Sequence, residues 1–221
     1  MRIVLGLEYC GTGFCGWQSQ PQGCGVQDAL EAAISAIAGE KIVVTAAGRT
    51  DAGVHAAFQV AHFDTTARRP LTAWVRGVNR HLPPGVAVLW AREVSEAFHA
   101  RFAATQRGYR YVLLNHPVRP GLHHGLIGWS HRPLDSDAMN RAAAHLIGRH
   151  DFSAFRAAEC QARSPVKELR LARIERRGDY LLCDRALAAP TFDAAGLYLT
   201  HLRYPADFAL PESSERWPFA T

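Results

Sequence analysis

The chain has 221 residues, 48% of them apolar and 20% charged, with a formal net charge of +5. These proportions exclude fibrous and disordered classes, and the length makes one large domain or two small ones. Apolar stretches such as 3–7 and 86–90 fall far short of the roughly 18 residues that cross a bilayer, and Glu8 comes too early for a signal peptide's apolar core, so a cytoplasmic protein is expected.

In chain order, residues 3–8 read as a strand with Ile3, Leu5 and Leu7 on one face. The following Gly11-Thr12-Gly13-Phe14-Cys15-Gly16 matches the glycine spacing of a dinucleotide loop. That fingerprint needs a helix at once and an acid at the end of a second strand. Here the loop-like Trp17-Gln18-Ser19-Gln20-Pro21 follows, and Asp28 and Glu31 fall inside the next helix. The glycines therefore read as a tight turn. That helix is expected over 26–38, with Val26, Leu30, Ala33, Ile34 and Ile37 on one face and Gly39 placed to end it.

Strands are expected over 41–46 and 58–63, on either side of a loop at 48–53, then a helix over 71–81 stopped by Pro83-Pro84 and a strand over 86–90. The second half repeats the rhythm. A strand over 109–114 precedes a helix over 135–147, with Met139, Ala142, Ala143 and Leu146 inward and Gly148 as its stop. Strands over 169–174, 180–184 and 197–204 follow. The pattern predicts an α+β fold, a sheet covered by helices on one face and open to a ligand on the other. It divides into halves at 1–105 and 106–211, with a polar tail at 212–221.

Charge is unevenly spread. Residues 1–67 carry −3, residues 68–119 carry +7 from nine arginines and two acids, and the remainder carries +1. A basic middle suggests an anionic partner, with phosphate backbones the commonest, although a solvated face would look the same. The five cysteines (Cys10, Cys15, Cys24, Cys160 and Cys183) include no C-x-x-C pair. Free thiols are expected, with no disulfide and no structural metal.

The most informative stretch is Gly48-Arg49-Thr50-Asp51-Ala52-Gly53-Val54-His55-Ala56. Its glycines let the backbone bend sharply and present one carboxylate, or else simply make a turn in which Asp51 bonds its own backbone. His55 and His62, which flank this strand, are expected to pack or cap rather than to transfer protons.

This stretch resembles the catalytic loop of the TruA family of tRNA pseudouridine synthases. The resemblance extends to Leu5-Gly6-Leu7-Glu8-Tyr9, Gly13-Phe14-Cys15-Gly16-Trp17-Gln18 and Val26-Gln27. Phe98-His99-Ala100-Arg101-Phe102, Tyr109-Arg110-Tyr111, Asp151-Phe152-Ser153-Ala154-Phe155-Arg156 and Gly196-Leu197-Tyr198-Leu199 follow in the family's order. The resemblance implies a pseudouridine synthase fold: a mixed, mainly antiparallel sheet, helices on one face, an RNA-binding cleft on the other, and two α/β halves. It implies isomerisation of uridine to pseudouridine in the anticodon stem-loop, at positions 38 to 40, with no cofactor and no metal.

By the same resemblance Asp51 is the nucleophile, Tyr109 stacks on the flipped uracil, and Arg49 takes the place of the extruded base. Arg101 and Arg110 contact the tRNA, with Arg68, Arg69, Arg76, Arg80 and Arg107 as further basic candidates. A homodimer with tRNA lying across both subunits is implied as well. The chain departs from the family after residue 186, where a helical block carrying the arginine that pairs with the aspartate is absent. Arg185 or Arg203 then becomes the candidate replacement. The alternative is a tRNA-binding protein that has lost turnover. An unrelated aspartate-dependent hydrolase would need a metal or phosphate cradle that the sequence lacks.

Overall fold

A computed structural model of the chain describes residues 1–155, 164–186 and 194–212. Cys160, the departure beyond residue 186 and the tail beyond 212 lie outside these. The strands are β1 (Arg2–Tyr9), β2 (Thr45–Ala46), β3 (His55–Asp64), β4 (Val86–Val94), β5 (Gln106–Asn115), β6 (Gly128–Ser130), β7 (Gly148–Asp151), β8 (Val166–Leu169), β9 (Leu171–Arg177), β10 (Tyr180–Ala186) and β11 (Leu197–Arg203). The helices are α1 (Val26–Ala38), α2 (Val78–His81), which a π-helical segment Ala73–Gly77 leads into, and α3 (Ser136–Ala144). The fold is α+β, as the alternation of patterns predicts. Two compact units form: Met1–Gln106 together with residues from Leu199 onward, and Arg107–Tyr198. The closing strand is thus grouped with the opening half.

In the first unit the strand order is β4-β1-β3-β11, with β2 beside β3. β1 pairs antiparallel with β3 and with β4, Ile3 opposite Phe63 and Val4 opposite His62. Ile3, Leu5, Ala61 and Phe63 share one face, and Phe63 meets the indole of Trp74 from the π-helical segment edge-on at 5.3 Å. The opposite face carries Val4, Val60 and His62, all buried, with Phe98 packed on His62. This part of the sheet is therefore covered on both faces, and burying β1 and β3 this thoroughly accounts for their near-continuous apolar runs.

α1 begins where expected. Asp28 accepts the N–H of Gly25 at 2.9 Å, satisfying a donor at the helix start. Gly39 ends the helix in the left-handed conformation, φ 77, which side chains other than glycine's resist. The expected strand over 41–46 shrinks to Thr45–Ala46 because α1 takes its backbone donors. Ser35 Oγ accepts Ile42 N at 3.0 Å and Glu31 Oε1 accepts Val44 N at 2.9 Å.

In the second unit the order is β5-β10-β9, antiparallel throughout, with β6 parallel to β5. β7 and β8 form a separate hairpin. The single strand expected over 169–174 is broken at Arg170 into β8 and β9. The helix expected over 135–147 is shorter, and none of its residues is buried; Ala142 and Leu146, expected inward, are exposed. Its apolar stripe faces too little surface among the described residues to be covered.

Candidate active site

The loop between β2 and β3 is built on a buried polar floor within the first unit. Gln59, wholly buried in β3, donates its amide to Gly48 O at 2.8 Å and to Tyr9 Oη at 3.4 Å. Tyr9 Oη in turn shares a hydrogen bond with Thr50 Oγ1 at 2.9 Å. Trp17 N donates to Thr50 O at 2.8 Å, joining the turn after β1 to this loop. Gly16 makes that approach possible: its φ is +97, and a Cβ there would stand 2.7 Å from Thr50 O. His55 is 1% exposed and its Nδ1 accepts the N–H of Gly11 at 3.0 Å, a packing and capping role. His62 likewise accepts Ala100 N at 3.2 Å.

Above this floor Arg49 and Asp51 are both exposed, while Thr50 between them is buried. Asp51 O accepts the N–H of Val54 at 3.1 Å, so the residue sits at the head of a tight turn with its side chain outward. None of the ion pairs found among the described residues includes Asp51. The arrangement is an accessible carboxylate on a firmly held backbone, with the cation of Arg49 two residues away.

The cysteines correct an expectation. Cys15 and Cys24 are joined by a disulfide, with Cα atoms 5.4 Å apart, inside the range that a disulfide spans. Cys15 N bonds Cys24 O at 2.9 Å, and this loop closure brings together two residues whose spacing in sequence gave no signal. Cys10 and Cys183 are free. No cluster of three or more metal-binding side chains occurs among the described residues.

The second unit holds Tyr109 and Arg110 on β5. Tyr109 lies opposite Arg185 of β10, whose guanidinium stands 5.4 Å from the ring centroid. Burial pushes Arg185 down to about 10; no carboxylate pairs with it among the described residues, and the ring face is its neighbour instead. Arg110 places Nε and Nη2 on the two oxygens of Asp184, at 2.5 and 2.8 Å, a bidentate pair across β5 and β10. Arg101, in the first unit, is exposed with its guanidinium 5.9 Å from the Phe102 ring. Arg203 is also exposed. Sequence reasoning missed the floor under the loop. Its one available signal was Gln59, an uncharged polar residue inside the apolar run of β3.

A profile of the family described as tRNA pseudouridine synthase matches residues 7–103 and 142–184. The chain belongs to the tRNA pseudouridine synthase family. The first matched stretch contains the whole loop around Asp51, and the second ends two residues before the departure noted at residue 186. Among similar proteins, the tRNA pseudouridine synthase A of Thiobacillus denitrificans is 70% identical over 259 aligned positions that cover 100% of both chains. The namesake from Chromobacterium violaceum is 52% identical, and that from Dechloromonas aromatica 50%, each covering 97% of both chains. An alignment of 259 positions against 221 residues means that the Thiobacillus protein fills at least 38 positions that this chain lacks.

Proposed function

We propose that this chain isomerises uridine to pseudouridine in the anticodon stem-loop of tRNA, at positions 38 to 40, with Asp51 as the nucleophile. Family membership makes it a tRNA pseudouridine synthase, an isomerase. The observation that carries the finer reading is the exposed Asp51 carboxylate on a loop whose flanking residues are pinned from beneath.

The reaction breaks the bond between ribose C1′ and uracil N1, turns the base and rejoins it through C5. N1 gains a proton and C5 gives one up, so atoms balance without a redox partner. A carboxylate beside C1′ either forms an adduct there or stabilises the charge as the bond opens. The base must first leave the stack, at a cost of a few kcal/mol, and Arg49 fills the space it vacates. Tyr109 stacks on the flipped base, its ring held by Arg185, and its oxygen takes part in removing the C5 proton. Arg101 and Arg110 contact phosphates. Arg110 arrives with its charge already balanced by Asp184, so its share of the salt dependence is the smaller. The working assembly in this reading is a cytoplasmic homodimer.

The test is chemical mapping of pseudouridine in unmodified tRNA after incubation with the full chain and with Asp51→Asn. Pseudouridine at 38 to 40 with the wild type alone supports the reading. Equal tRNA binding by both proteins with modification by neither favours the tRNA-binding alternative. The specific observation behind that alternative is the absence of a cationic partner for Asp51 among the described residues.

A further inference from the structure

Four aromatic side chains of the first unit form a column from the core to the surface. Phe98, wholly buried, meets His62 edge-on with ring centroids 5.9 Å apart. His62 meets His99 at 4.9 Å, and His99 stacks on Phe102 at 4.3 Å with 30° between the planes. Phe102 is 77% exposed. The backbone N–H groups of Arg101 and Phe102 both donate to His99 Nδ1, at 3.2 and 3.3 Å, so the supporting imidazole is held in one orientation. Burial, reinforced by the cations of Arg2 and Arg101, lowers the pKa of His99, which favours a neutral ring beneath Phe102.

We propose that Phe102 is a stacking platform for an unpaired base of the tRNA substrate, with Arg101 holding the adjoining phosphate. An isolated exposed phenylalanine would need no explanation. This one is ordered by the imidazole stacked on it and lies in the segment 68–119 that concentrates the basic charge. The Arg101 guanidinium stands over its ring at 5.9 Å from the centroid, a distance from which the exposed side chain can swing to a phosphate. An aromatic face with an adjacent cation is the pairing that binds single-stranded nucleic acid, because every base has a π-face and every nucleotide a phosphate. The occupant is an unpaired base, since a base inside a duplex has both faces covered. The proposal rests on tRNA being the substrate and is independent of which residue acts as nucleophile.

The experiment measures the affinity of the full chain for an unmodified tRNA transcript, and for an RNA duplex of similar length, across a salt series. Phe102→Ala weakens tRNA binding about tenfold at every salt concentration, leaving the slope of log affinity against log salt unchanged. Phe102→Trp restores it, and neither variant alters duplex binding. Arg101→Ala flattens the slope by about 1. Repeating the series in Asp51→Asn separates the two readings. If the Phe102 effect persists in Asp51→Asn, the platform stands whatever the outcome for the nucleophile. The catalytic assignment falls only if the wild type forms no pseudouridine or the Asn variant still forms it. Equal loss on tRNA and duplex, a changed salt slope with Phe102→Ala, or a shift in sedimentation that marks Phe102 as a contact between copies would each overturn the proposal.

Discussion

In the proposed reading Asp51 supplies the chemistry of the loop, while Gln59 supports its backbone from beneath. Asp51→Asn keeps the shape of the turn and removes the charge. Turnover should fall by at least about a thousandfold with tRNA affinity and thermal midpoint unchanged, read by pseudouridine formation beside filter binding and calorimetry. The floor behaves differently. Gln59→Met removes both amide donors and leaves Gly48 O and Tyr9 Oη without them, which should destabilise the protein by about 1–3 kcal/mol. Tyr9→Phe removes one hydroxyl and should cost about 1 kcal/mol. The two changes share partners, so a double-mutant cycle in urea should give less than their sum. The loop around Asp51 stood out in the sequence through its nine-residue motif. The support did not, because Tyr9 and Gln59 lie 50 residues apart and meet only when β1 pairs with β3.

At the scale of elements, each unit ends its run of strands on an asparagine. In the first, Asn79 of α2 bonds both Val88 N and Val88 O, at 2.7 and 2.9 Å, along β4. In the second, Asn140 of α3 does the same to Ile174 of β9, at 2.8 and 2.7 Å. A side-chain amide that mimics a neighbouring strand satisfies an edge that would otherwise invite pairing with another chain. Asn140→Ala should cost about 1 kcal/mol and increase scattering from aggregates on mild heating. The loop carrying Cys15 and Cys24 is held differently, by a covalent link. Reduction, or Cys15→Ser, should lower stability by about 2.5 kcal/mol on the chain-entropy account, seen as a reductant-sensitive urea midpoint in the wild type only. Helix α1 was legible because its period, its acidic first turn and its glycine stop agree. The extra strand β6 and the pair of β7 and β8 were not, since each is short and its pairing partners lie 15 or more residues away in the chain.

For the whole molecule, acid stability is set in part at the base of the aromatic column. Burial lowers His62 to about 4, with the Arg2 cation adding to the effect, against about 6.5 for an exposed histidine. The folded state therefore refuses a proton that the unfolded chain accepts. Stability from this group is complete above about pH 6.5, declines as pH falls, and is fully lost near pH 4, a change of about 3 kcal/mol. Urea titrations between pH 7 and pH 4 should show the slope, and His62→Phe should flatten it.

Composition and period were enough to determine the fold class and the first half's main elements, because those follow from local pattern. The family was legible through a resemblance spread over several motifs from Leu5 to Leu199. Tertiary structure alone decided that β11 groups with the opening half, that both faces of β1 are covered, and that Cys15 reaches Cys24. It also decided that Arg185 rests on Tyr109 and that Phe102 stands outward on a stacked imidazole. These depend on which distant segments come together, and strand pairing and ring stacking leave no periodic trace in the chain that makes them.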